Sequence, residues 1–394
     1  MLRVVATLLV LLVLATLTSP VVTGQIIPTP IHLPLIVVGP PPTGTLTPTA
    51  TTTPSPTVTD MPTEFAPIAT PTPTFTATNL PTATPTATSV PPTPTPTLPA
   101  NGNQQEWIWH KSADGAHPSG LEQQMLWLMN RARANPAQEG IWLATTDEPD
   151  IAGGRTFFGV NTTLLMEEFA SYEAKPPAAF DRRLYNAAYA HSLDMIARDS
   201  QDHQQQLERI AQAGFDCTWR GGNIFAYAES ALHAHGSMAI DWGYGPDGMQ
   251  PNRGHRMLIL AISRNYTNFG AALVEELDPA TSVGPLVTTA NYCAADEGTP
   301  DHYNRFLVGT VWSDLDGDAL YDPGEGIGNV RVFADRGEFY AITGAAGGYA
   351  IPMTETGSYQ VYFVLDESAP DGIVVQEVTI GQESVLLDLQ RDVD

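Results

Sequence analysis

Between residues 41 and 100, 22 threonines and 16 prolines fill 38 of 60 positions. A stretch of this kind holds too little apolar surface to offset the entropy of ordering it. Each proline fixes φ and removes a backbone donor, so the segment is expected to be extended and polyproline-like, a spacer of ~3 Å per residue. It reads as a stalk or as a passive linker, disordered from 25 to 106. The fold must come from the residues beyond it, which leave room for two domains at roughly 100–200 residues each.

Upstream of the linker, Arg3 supplies one positive charge, and Val4 to Leu17 is an unbroken run of apolar residues, threonine and alanine. Small residues at Val22-Thr23-Gly24 end it at a plausible cleavage point. Residues 1–24 are therefore expected to be a secretory signal peptide. The alternative is an uncleaved N-terminal membrane anchor, although fourteen apolar residues fall short of the ~20 that span a bilayer. Either way the body of the protein is expected outside the cytoplasm, extracellular or at the cell surface. No hydrophobic tail or sorting motif follows the last strand pattern, so any attachment is expected through the N-terminus or a partner.

Charge excludes several partners. Forty-three acidic and 18 basic side chains leave a formal charge of −25. Phosphate binding needs a basic surface, so nucleic acid is not expected, nor docking on anionic lipid. A second long apolar run is lacking, which argues against a transmembrane bundle. Two cysteines are too few for a disulfide-built scaffold, and no Cys/His set has zinc-finger spacing.

From 107 to 298 the pattern is helical first and stranded last. Leu121, Met125, Leu128 and Met129 share a helix face that stops at Asn135-Pro136. Asp181 is a good N-cap for a second helix with Leu184, Ala187, Ala188, His191, Met195 and Ile196 as its stripe. Further helical pieces are expected over 204–213 and 229–242, and strands over 269–274 and 285–292. This order suggests an α/β sandwich. On the inward stripe, His191 reads as a satisfied core residue. His233 and His235 cannot share one helix face and receive no joint role.

The run Ala190-His191-Ser192, then His203, Gly221-Gly222-Asn223-Ile224, Asp241-Trp242, Gly254-His255-Arg256 and Phe269-Gly270 resembles the CAP superfamily, in a bacterial branch. This family takes in cysteine-rich secretory proteins, antigen 5 and pathogenesis-related proteins. The resemblance implies a three-layer α-β-α sandwich, with residues 140–178 as an insertion between the first two helices. It also implies a cleft in which two histidines and two acidic residues face one another, sometimes around a divalent metal. By position His203 and His255 take the histidine places. The first acidic place falls on Gly222, and Asp241 and Asp247 are the nearest candidates for the second. Zinc or another divalent transition metal held by two imidazoles and one carboxylate would be loosely bound. In an exported protein a reactive thiol is a hazard, and oxidising compartments favour pairing, so a Cys217–Cys293 disulfide is expected. No nucleophile elbow, His-Glu-x-x-His pair or phosphate loop is present, and the reading leans away from an enzyme. The alternatives are a metal-dependent hydrolase using His203 and His255, and lipid or sterol binding.

From 304 to 394, six or seven short strands separated by glycine-rich turns indicate a β-sandwich. Between the first two lie Asp314, Asp316, Asp318, Asp322 and Glu325, at positions 1, 3, 5, 9 and 12 of a twelve-residue loop. Five carboxylates so close together repel unless a divalent cation gathers them, and oxygen donors suit calcium. Ala319 stands where a helix–loop–helix calcium loop has glycine, and strands flank the loop, so it is not that module. With Gly347-Gly348-Tyr349, the segment resembles the B-type domains of Gram-positive SD-repeat adhesins. That resemblance implies an immunoglobulin-like or prealbumin-like sandwich stiffened by calcium. A lysine-based cross-link is excluded, because no lysine follows Lys175. The whole reads as an exported, non-catalytic protein that binds an extracellular or cell-surface ligand.

Overall fold

The computed structural model describes residues 104–369 and 371–391. The leader at 1–24 lies outside the described residues, as does the expected linker except for its last three positions. Those three depart from expectation, because Gln105 and Glu106 belong to a sheet and the Gln104 side chain bonds to Ala334 O. Strand β1 (Gln105–Glu106) pairs in parallel with Phe339 and Tyr340. Gln105 N–H donates to Glu338 O at 2.9 Å and Trp107 N–H to Tyr340 O at 2.8 Å. Trp107 is buried edge-on against Tyr303 and Phe339, and Lys111 Nζ donates to Ile342 O. Residues 104–111 thus strap onto the C-terminal half, and Trp109 also touches the N-terminal half, where its carbonyl accepts from Arg182 N–H at 2.9 Å and its ring lies against Arg182 and Arg183.

Ser119 opens α1 (Gly120–Ala134) with a capping box, its Oγ accepting from Glu122 N–H while the Glu122 carboxylate accepts from Ser119 N–H. Such a box satisfies two otherwise orphaned donors. The expected stripe is its buried face. Asn135 ends α1 and caps α2 (Pro136–Thr145), with proline where a missing N–H costs nothing. The stretch expected as an insertion continues through α3 (Pro149–Phe158) and α4 (Thr162–Ala170). After β2 (Ala179–Phe180), Asp181 caps α5 (Arg182–Arg198).

Next come α6 (Gln206–Gln212), β3 (Cys217–Ala228), α7 (Ala231–Gly236), a π turn (Ser237–Asp241), a 3-10 turn (Pro251–Arg253), α8 (Gly254–Ile259), β4 (Asn268–Glu275) and β5 (Leu286–Ala295). The strands form one sheet in the order β2-β4-β5-β3, parallel only at β2–β4. Successive strand residues point to opposite faces, and β5 shows both. Leu286, Ala290 and Tyr292 join the core beneath α1 and α7, whereas Cys293 and Ala295 pack with Leu184 of α5 and Ile210 of α6. Both faces are covered by helices.

The C-terminal half contains β6 (Phe306–Ser313), β7 (Arg331–Ala334), β8 (Phe339–Ile342), β9 (Gly348–Pro352), β10 (Gly357–Val364), β11 (Ile373–Ile380), β12 (Val385–Leu386) and β13 (Leu389–Arg391). One sheet runs β1-β8-β7-β10-β11; in the other, β9 lies on one edge of β6 and β12 and β13 on the opposite edge. Leu307, Val311 and Ile351 of one sheet share a core with Val332, Val361 and Phe363 of the other.

The halves meet through α1. Gln123 Nε2 donates to Thr310 Oγ1 at 2.9 Å, and Trp127 packs edge-on against Trp312. Gln124 Nε2 reaches Tyr321 O at 3.0 Å and Asp322 Oδ1 at 2.6 Å. Among the described residues no helix is long and apolar enough to cross a membrane.

Candidate functional site

A row of residues crosses the sheet at Gly270, Asn291 and Gly222, paired on β4, β5 and β3. Glycine at both flanks lets α5 and α6 come close. A Cβ at Gly270 would lie 2.5 Å from the Leu184 carbonyl carbon, and one at Gly222 would lie 2.5 Å from Gln206 Cδ. Asn291 stands between them and ties the two helices, with Nδ2 donating to Leu184 O at 3.2 Å and Oδ1 accepting from Gln206 Nε2 at 3.0 Å.

Gln206 is fully buried. Its amide nitrogen also points at Ala290 O and Asn223 O, which leaves its Oε1 as acceptor for His203 Nδ1 at 2.6 Å. The His203 proton is therefore assigned to Nδ1. His191 lies beside this pair. Its Nε2–H donates to Asp202 O at 2.9 Å, while its buried Nδ1 has no hydrogen-bond partner. Burial, with Arg209 and His203 nearby, pushes His191 down to about 4. The satisfied core histidine expected there is thus only half satisfied.

His255 meets β3 through its backbone carbonyl. Asn223 Nδ2 donates to His255 O at 3.1 Å and also contacts Tyr292 Oη, on the α1 side of the sheet. Asp241, at the end of the π turn, accepts from His255 Nδ1 at 2.8 Å and from His255 N–H at 3.0 Å. The inserted helix α4 braces this turn, because Glu168 pairs with Arg253 and with the fully buried Arg256. Arg256 in turn donates to Ala239 O and Ile240 O.

The structure brings Asp241 to His255 and takes Asp247 elsewhere, to the start of α4, where its carbonyl accepts from Asn161 N–H. His235 pairs with Glu139 rather than with His233. The Cys217 and Cys293 sulfurs are bonded at 2.02 Å, joining β3 to β5.

The second cluster is the loop after β6. Among the described residues, groups of three or more His, Cys, Asp or Glu with ligand atoms within 4.8 Å are Asp314, Asp316 and Glu325, and Asp316, Asp318 and Asp322. Asp316 belongs to both. Glu325 is buried and accepts from the Leu315 and Asp322 N–H groups, which closes the loop on itself. Burial, then the charges of Asp318, Glu325 and Asp316, push Asp322 up to about 6. Its hydrogen bond to Gln124 acts in the opposite direction.

No family model matches the chain, and no curated protein matches it. Among solved structures, an extracellular protein containing an SCP domain from Bacillus anthracis str. Ames is similar at 18% identity over 38% of this chain, with a TM-score of 0.23. This chain spans 44% of that one, and an overlap this slight adds nothing to the geometry above.

Proposed function

We propose that this chain is an exported, non-catalytic binding protein. In this reading its α-β-α half is a CAP-like module that offers the crevice around His203 and His255 to a ligand or partner at the cell exterior. Its C-terminal half is a B-type, immunoglobulin-like or prealbumin-like sandwich stiffened by calcium. Export rests on the leader sequence alone.

The observation that carries the calcium reading is the pair of overlapping carboxylate groups sharing Asp316. Asp314, Asp316, Asp318, Asp322 and Glu325 would hold the ion. Their donor chemistry fits: all are hard oxygens, and Asp322 is raised by burial and then by like-charge crowding, which a divalent cation relieves. When bound, the ion would neutralise the loop. The chain's own part is to close the loop through Glu325 and fix it to α1 through Gln124. An ion that binds only the folded state stabilises it. Thermal melting in EGTA and in millimolar calcium tests this. A rise with calcium that Asp316→Asn removes is expected, and identical melting curves in the parent chain would sink the reading. A recognition role for the crevice is supported by its polar groups being engaged with one another. Gln206, Asn291 and Asp241 hold positions, and among the described residues no serine or cysteine nucleophile is set beside a histidine with an orienting acid.

A further inference from the structure

We infer that the Gln206 carboxamide occupies the place an acidic side chain at position 222 would take, so the crevice is a hydrogen-bonding site that does not retain zinc. The CAP resemblance puts a metal-ligating acid at position 222. Here the position is glycine, and the space above it is filled. A Cβ on Gly222 would overlap the Gln206 amide, with Cδ at 2.5 Å and Oε1 at 2.8 Å. Gln206 cannot simply swing aside, because it is fully buried and bonded to Asn291 on the central strand.

Glycine at 222 and glutamine at 206 are therefore one unit: each permits the other. What the unit gives His203 is a neutral acceptor. A carboxylate would bring a negative charge and a metal donor, whereas the amide oxygen accepts one proton from Nδ1 and donates nothing to a cation's charge balance. The histidines themselves are compatible with metal, since a ring whose Nδ1–H is held by an oxygen is the usual setting of a ligating imidazole. The missing donor is what decides. A stable zinc site wants three or four protein ligands. Among the described residues no group of three ligand atoms within 4.8 Å includes His203 or His255, and Asp241 is committed to His255 Nδ1 and N–H.

The inference is independent of calcium at the acidic loop, and the test removes that loop from consideration. Zinc is titrated calorimetrically into the full chain carrying Asp316→Asn, with and without His203→Ala. The expected result is no micromolar binding that depends on His203. Adding Gln206→Ala together with Gly222→Glu should create such binding, and His203→Ala should abolish it again. Micromolar zinc binding by the Gln206-containing chain that disappears with His203→Ala would overturn the inference. So would a folded double variant that binds no zinc. A second measurement covers the case in which that variant fails to fold. Gly222→Ala should lower the melting temperature clearly in the parent chain and much less in a Gln206→Ala background. Equal shifts in the two backgrounds would show that the residues are not coupled.

Discussion

Around β3, buried polar side chains meet neutral partners: Gln206 meets Asn291, and Asn223 meets a carbonyl and a phenol. Between β6 and β7, five carboxylates share twelve residues, and the partners they find are backbone N–H groups and, for Asp322, the Gln124 amide. The first region bonds mostly within itself, leaving His191 Nδ1 and Asn223 Oδ1 without partners, and a disulfide between β3 and β5 staples it. The second gathers like charges, which in the proposed reading a divalent cation balances. The contrast teaches that a polar cluster should be judged by what its atoms already hold, and not by how many ligand-type residues it contains.

The comparison breaks most easily at the disulfide. Replacing Cys217 and Cys293 by alanine should cost about 2–4 kcal/mol in denaturant unfolding, since the bridge closes a long loop. It should leave the calcium-induced shift intact, and loss of both effects together would mean the regions are not separate. Calcium at 100 times its dissociation constant should add about 3 kcal/mol, or roughly 6–12 °C. Differential scanning in EGTA and in calcium reads this directly.

Acid should act on the crevice and on the α1 junction with opposite signs. His191 is held near 4 when folded, against an unfolded value of 6.5. The unfolded chain therefore takes up the proton first, and stability present above pH 6.5 is lost as pH falls towards 4. Asp388, whose neighbours are Thr310 N–H and Trp127, is pushed by burial up to about 6 from 3.8. The folded chain takes that proton first, so stability rises as pH falls through 6. Urea unfolding at pH 7 and pH 5 should show His191→Phe shrinking the acid loss by about 1–2 kcal/mol, and Asp388→Asn removing the acid gain. The reverse pattern would refute both assignments. The smallest effect is expected at the junction, where Gln124→Ala should cost about 1 kcal/mol and weaken calcium binding, measured by unfolding and calorimetry.

Much of the architecture can be read in the sequence where local chemistry is strong. The apolar spacing from Leu121 to Met129 marks one helix, Asp181 marks the start of another, and alternation marks the strands from Phe306 to Ile380. Strand β3 is invisible to the same reasoning. Its Gly221-Gly222 pair weakens strand propensity, and residues 221–226 are buried without alternating. Gly222 makes room for Gln206 and Gly221 for Leu258, contacts no spacing rule anticipates. Strand β1 is missed because three polar residues gain their meaning from a partner 230 positions away. For the candidate site, motif order names His203, His255 and Asp241, of which the structure brings Asp241 and His255 together. Gln206 and Asn291 carry no signal of their own, since an amide becomes diagnostic only when its neighbours are known.

The short parallel pair between β1 and β8 decides how a pull is shared. Tension entering at Gln104 meets two backbone hydrogen bonds, from Gln105 and Trp107, and then the Trp107 ring seated in the C-terminal core. The mechanical path thus runs first into the sandwich, and the sheet with the histidines is loaded only after that anchor has slipped. Stretching single molecules should show a small early extension before either core gives way, and its absence would place the anchor elsewhere.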